Sequence, residues 1–179
     1  MDAWRRDFEG VTLVVGTDLD AVAVIAGALG VDAASVSLSH LCPNCGSTAH
    51  GRPLIAGPAE LSVVGVSFAH SQGVDAVAIN RVGPIGVDLE SISQVARAPV
   101  GPALLHPREI ADTPADVAHL WTTKEAVLKL VGRGLRLDPR DLRVDAGQLV
   151  SWPAGLFGGS PPRIRTLSVD DDLVASVAS

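Results

Sequence analysis

The chain reads as a mixed protein of helix and antiparallel sheet, and three observations predict this. Residues 61–68, 73–80 and 85–89 are apolar, β-branched runs separated by short polar turns, the pattern of an antiparallel meander. Leu120, Trp121, Val127, Leu128 and Val131 recur at spacings of three, four and seven, so the stretch 121–135, WTTKEAVLKLVGRGL, reads as a helix that Gly132 stops. Residues 141–145, 148–152, 162–168 and 173–178 then look like further strands joined by Gly/Pro turns.

With 179 residues, 47% hydrophobic and 19% charged, the chain is long enough for one substantial core or two small fused lobes. Its composition is that of a soluble globular protein. Asp or Gly breaks every apolar run well short of the ~18 residues of a membrane span. The start, MDAWRRDFEG, lacks the apolar core of a signal peptide, and with only two Cys the expected compartment is the cytoplasm. A net charge of −6 argues against a nucleic-acid or anionic-membrane partner, so an anionic ligand must meet a local basic patch.

Taken in order, residues 11–15 predict a strand, and Thr17 or Asp18 can cap a helix over 19–29 that Gly30 ends. GTDLD at 16–20 echoes GVDLE at 86–90. An internal duplication would explain the echo, and an acidic cap in a turn explains it more simply. Residues 36–41 predict a short strand leading into Cys42-Pro43-Asn44-Cys45. This C-x-x-C, with His40 and His50, has the shape of a zinc site; the plainer reading is two reduced thiols in a turn. A thioredoxin-like role lacks the βαβ context it would need. Residues 91–116 are rich in Pro, Ala and Ser and read as a connection with at most short helices, carrying Arg97, Arg108 and Glu109.

Twelve of the fourteen cationic side chains are Arg, and the only two Lys are Lys124 and Lys129. Two Lys within six residues of an otherwise Arg-only chain point to a need for a compact, flexible ammonium. Glu125 and Lys129 lie one turn apart on one helix face. An ordinary pair at that spacing contributes only ~0.2–0.5 kcal/mol and most such pairs do nothing else. Asp88 and Glu90 change the balance: at strand spacing they point to the same side, and two hard oxygen ligands there suit Mg²⁺. The bland alternative is a strand end entering solvent, which Glu125, as a third carboxylate, makes insufficient. Three carboxylates, two Lys, the His70-Ser71 turn and the Gly51-Arg52-Pro53 turn, with no nucleophile triad, describe a site for a metal and a polyphosphate.

These residues resemble the 4′-phosphopantetheinyl transferases, within them the larger Sfp-type group. The match lies in G-[VI]-D-[VIL]-E at 86–90 and W-x-x-K-E-[AS]-x-x-K at 121–129, followed by G-x-G-L at 132–135, with G-[KR]-P at 51–53 and the S-H-S turn at 69–71 upstream. The resemblance covers roughly residues 19–179. It implies an α+β fold of two pseudo-duplicated lobes, each an antiparallel sheet with a packed helix, and an active site between them. Residues 1–90 would hold the coenzyme A loops and first metal carboxylates, and 91–179 the W-x-x-K-E helix. The implied reaction transfers 4′-phosphopantetheine from coenzyme A to a serine of an acyl or peptidyl carrier protein, as in polyketide or nonribosomal peptide biosynthesis, releasing adenosine 3′,5′-bisphosphate.

By that resemblance Asp88, Glu90 and Glu125 would hold Mg²⁺ or Mn²⁺, and Lys129, His70 and Ser71 would contact phosphates. Arg52 would meet the 3′-phosphate, and Lys124 would lie near the pyrophosphate or fix the carboxylates. Two departures stand out: Ala69 replaces the first Ser of S-H-S, and only about eighteen residues precede the first helix. A non-catalytic binder of coenzyme A or carrier, and a Mg²⁺-dependent nucleotide pyrophosphate hydrolase, are the rival readings. An acidic carrier would require the cations to gather on one face; Arg97, Arg108, Arg133 and Arg136, with Leu104 and Leu105, are the expected docking residues.

Overall fold

The computed structural model describes residues 2–42, 45–49, 51–98, 100–132, 136–158 and 160–179. Strands β1 (Trp4–Phe8) and β2 (Val11–Gly16) form a hairpin, and helix α1 (Ala21–Leu29) comes next. Its cap is Asp20, whose carboxylate accepts from Val22 N and Ala23 N, rather than Thr17 or Asp18. A second hairpin joins β3 (Ser37–Leu41) to β4 (Arg52–Ala56), and β5 (Gly65–Ser71) and β6 (Val74–Asn80) make a third. Then come β7 (Gly86–Ser91), the short helices α2 (Ile92–Val95) and α3 (Gly101–Leu104), and the long helix α4 (Pro114–Val131). Hairpin β8 (Arg143–Asp145) to β9 (Gln148–Ser151) and strands β10 (Ile164–Ser168) and β11 (Leu173–Ala178) complete the order. The α+β class is as predicted.

Helix α4 begins seven residues before Trp121 because Thr113 closes a capping box with Asp116 and Pro114 fills the first turn. Gly132, at φ 68°, ends it in the left-handed conformation. The expected meander is only half right. β5 and β6 pair, but the far edge of β6 is taken by β2, and the chain instead carries β7 into another sheet. The crossing is made possible by Gly65, where a β-carbon would lie 2.1 Å from Gly83 O. One sheet therefore runs β1-β2-β6-β5 and the other β10-β11-β7.

The two sheets lie face to face. Val11, Leu13, Val15, Ala76 and Ala78 of the first pack with Val87, Leu89, Leu173, Ala175 and Val177 of the second. The outer face of the first sheet, through Val66, Val77 and Ile79, holds Ile25 and Ala26 of α1. On the outer side of the second sheet, Ala126, Val127 and Leu130 of α4 pack with Ile164 and Ala178. The layers run α1, sheet, sheet, α4, with both sheets covered on both faces. That explains why β11 is apolar at nearly every position and buried throughout.

The order of elements repeats. Strand, helix, one-turn 3₁₀ helix, hairpin and two more strands describe β2 to β6, with a further 3₁₀ helix (Ala59–Val63) before the last two, and with two short helices inserted the same order describes β7 to β11. In each sheet the first strand of the series pairs with the last. The sequence echo does not mark this repeat: Asp20 caps a helix, whereas Asp88 and Glu90 lie within a strand. Strand β7 is paired along its length with β11. By its pairing, β7 belongs to the C-terminal series.

Strand β7 lies against α4 with little space between backbones. A β-carbon at Gly86 would fall 1.9 Å from Ala126 O and 2.6 Å from Leu130 N. Since backbone cannot yield as a side chain can, Gly86→Ala is expected to cost about 3 kcal/mol or more in chemical denaturation, at or beyond the top of the usual overpacking range. A loss under about 1 kcal/mol would show that the contact can relax.

Candidate active site

The contact at Gly86 fixes the side chains two and four residues further along β7. Alternation sends Val87 and Leu89 into the core between the sheets and Asp88 and Glu90 to the α4 side. Asp88 is buried at 7% exposure, with Ser176 of β11 as its cross-strand neighbour. Glu90 and Glu125 are half-buried. Burial raises the proton affinity of all three carboxyls, and for Glu90 and Glu125 the negative charge of Asp88 is the next cause. Glu90 is pushed up to about 7.

Lys129 opposes that rise for each of the three. Its Nζ donates to Asp88 Oδ1 at 2.8 Å, to Val87 O at 2.9 Å and to Phe68 O at 3.3 Å. Phe68 belongs to β5, an edge of the first sheet, so the ammonium joins both sheets to α4. Ser67 adds a second tie, its Oγ accepting from Val87 N at 3.0 Å.

Two residues beyond Phe68, His70 is exposed, and its Nδ1 donates to Asp75 Oδ1 at 2.7 Å across the hairpin. Asp75 also accepts from Leu19 N, tying the pair to the start of α1. Ser71 points to the other side of β5 and is buried. Arg52 is half-buried at the start of β4, which packs beside β5. Glu125 also lines a cleft of about 820 Å³ whose walls include Leu104, Trp121 and Pro139, with Arg136 and Arg140.

Lys124 lies elsewhere. Its side chain is 0% exposed, and its Nζ donates to Glu109 Oε2 and to Leu104 O, both at 2.7 Å. Burial pulls its pKa down, and the bond to Glu109 opposes that. Glu109 also accepts from His106 N and Val144 N, so the pair ties α4 to the loop before it and to β8. The ammonium of Lys124 is thus committed inside the protein to Glu109 and Leu104 O, where it braces the helix that carries Glu125. The sequence reading missed Glu109 as its partner. A Lys buried on a helix demands an acid somewhere, and that demand is the only signal, since nothing local marks Glu109.

Of the expected docking residues, Arg97 is exposed, Arg108 lines a different groove with His119 and Arg143, and Arg133 lies outside the described residues. Cys42 is buried and Cys45 exposed; His50, Pro43 and Asn44 are outside the described residues.

For a divalent cation, the donor set is the hard-oxygen kind that Mg²⁺ takes. Asp88 Oδ2 is buried with no hydrogen-bond partner, an unmet acceptor that such an ion would satisfy. Among the described residues, no three His, Cys, Asp or Glu side chains converge closely enough, as they stand, to hold an ion. The residues fit the group in chemistry, with Lys129 now on the other oxygen of Asp88.

The model of the 4′-phosphopantetheinyl transferase superfamily matches residues 84–178, more than half of the chain and the whole of β7 to β11. The chain belongs to that superfamily, whose members act in phosphopantetheine transfer, with coenzyme A and carrier proteins as partners. No curated protein matches the chain. No helix among the described residues is long and apolar enough to cross a membrane.

Removing one partner of a buried ion pair strands the other, so Glu109→Ala is expected to cost about 3–5 kcal/mol in denaturant unfolding, and Glu109→Ala with Lys124→Met markedly less. Equal costs would remove the pair from its bracing role. Glu90 supplies a pH signature. Its folded pKa, about 7, lies above its ordinary 4.5, so the folded state holds its proton more tightly. Stability contributed by that proton is present at low pH and lost as pH rises through this window. Metal-free protein should therefore melt lower at about pH 8 than at about pH 5.5, and Glu90→Gln should flatten the slope. An unchanged slope in that variant would assign the effect to other groups.

Proposed function

We propose that the chain is an Sfp-type 4′-phosphopantetheinyl transferase that moves the phosphopantetheinyl group of coenzyme A to a serine of an acyl or peptidyl carrier protein, with Mg²⁺ or Mn²⁺ as cofactor. The observation that carries this reading is the grouping of Asp88, Glu90 and Glu125 about the single ammonium of Lys129, beside an open cleft.

In the reaction the serine oxygen bonds to the phosphorus that bears the pantetheine arm, and the bond from that phosphorus to the bridging oxygen breaks. Adenosine 3′,5′-bisphosphate leaves with the electron pair. Asp88, Glu90 and Glu125 would hold the ion, which when bound neutralises the charge that builds on the pyrophosphate. His70, held by Asp75 and exposed, would contact a phosphate through its other ring nitrogen. Arg52, on the hairpin next to β5, would meet the 3′-phosphate, while buried Ser71 is the weaker of the expected contacts. Glu125, which also lines the cleft, or a water on the ion would take the proton of the serine. The apolar walls of the cleft, Leu104, Trp121 and Pro139, suit the pantetheine arm, and Arg136 suits an acidic carrier.

The test is incubation with coenzyme A, Mg²⁺ and an apo carrier protein, read by the mass of the carrier. A transferase raises it; splitting of coenzyme A without carrier would instead establish a hydrolase, and no change would leave a binder. Asp88→Ala, Glu90→Ala and Glu125→Ala are each expected to lower kcat/KM by about 100-fold or more, the scale of losing a group that organises transition-state charge. Full activity in excess chelator would overturn the assignment of the metal.

A further inference from the structure

Lys129 has no hydrogen to spare. An ammonium carries three donors, and all three are committed to protein oxygens: Phe68 O, Val87 O and Asp88 Oδ1. A residue expected to meet a phosphate is therefore already saturated. It is also the cation that all three carboxylates feel, and the second oxygen of Asp88 is buried and unmatched.

We propose that Lys129 is the resident counter-ion of the carboxylate cluster, and that a divalent cation entering at Asp88 displaces it and so releases it for the phosphates of the substrate. The proposal rests on the reading of Asp88, Glu90 and Glu125 as metal ligands. Two cations cannot share Asp88 cheaply: a monovalent and a divalent charge about 5 Å apart lower each other's binding by about tenfold even at the dielectric of water. Lys129 has somewhere to go, since its side chain is 33% exposed on a flexible four-carbon stem. Its departure would leave Phe68 O and Val87 O open to solvent or substrate and loosen one tie between the sheets while the ion forms another. Metal then precedes phosphate in the order of binding, because the ammonium is free for the second only after the first.

The composition of the chain makes this directly measurable. Lys124 and Lys129 are the only lysines, and Lys124 is fully buried. Reductive methylation of the wild-type protein, mapped by mass spectrometry, should be slow at Lys129 without metal and several-fold faster with Mg²⁺, in the absence of coenzyme A. Lys124 should stay unlabelled and the α-amine serve as the internal standard. An Mg²⁺-independent rate at Lys129, in protein shown by calorimetry to bind the ion, would overturn the displacement and leave the metal reading standing. No binding of Mg²⁺ or Mn²⁺ by wild type would instead overturn the metal reading and the proposal with it. A second arm removes the charge: Lys129→Met should bind Mn²⁺ about tenfold tighter than wild type, and Lys129→Arg no tighter. Weaker binding by Lys129→Met would show that Lys129 supports the ion rather than competing with it, and would overturn the proposal. Should that variant not fold, the labelling rates decide alone.

Discussion

Contact between the backbone of β7 and that of α4, made possible by the bare α-carbon of Gly86, sets the position of the charged cluster at the site. It brings strand and helix close enough that the next two side chains on that face, Asp88 and Glu90, have Lys129 and Glu125 as neighbours instead of water. A larger separation would hydrate the carboxylates, return them toward their ordinary pKa range and weaken any demand for a cation. The glycine of the G-V-D-L-E motif is thus a packing residue whose effect is electrostatic.

The two lysines, five residues apart on one helix, show how burial assigns different work to the same chemistry. Lys124 has an acid and a carbonyl wholly inside the protein, and with Glu109 it braces the helix from behind. Lys129 has an acid and two carbonyls at an opening, where its partners can be exchanged. A fixed ion pair and an exchangeable one are both needed if the helix is to stay in place while charge at its exposed face changes. The four hydroxyls of Thr122, Thr123, Thr166 and Ser176, hydrogen-bonded to one another under α4, add a neutral bracing layer.

Much of this could be read in the sequence where the pattern is local. Period two placed Asp88 and Glu90 on one side, helical spacing placed Glu125 by Lys129, and the strands near 143–151 and 164–178 fell where turn residues bounded them. What failed was non-local. Three apolar runs in succession looked like one meander, and nothing within residues 81–89 says that β7 pairs with β11, more than eighty residues later. The strand β1 went unread because its alternation is weak and three of its residues are exposed. Lys124 was grouped with Lys129 because composition cannot tell a buried ammonium from an accessible one; only the placement of Glu109 does that.

The repeat of elements is least equal in one place. Between the first strand and long helix the earlier series has residues 17–20, whereas the later one has 92–113, with α2 and α3. That added segment supplies Pro102, Ala103 and Leu104 to the cleft, and none of the three clustered carboxylates comes from it. Anchored at one end by Ser91 and Asp172 and at the other by the Glu109–Lys124 pair, it is a cassette with fixed ends. Its interior is packed as well: Val95 and Leu104 are buried, α2 lies against α4 and β7, and Leu104 O accepts from Lys124. A segment that both walls the cleft and braces the helix bearing Glu125 couples the shape of the opening to the placement of its charge, so that neither is altered by itself.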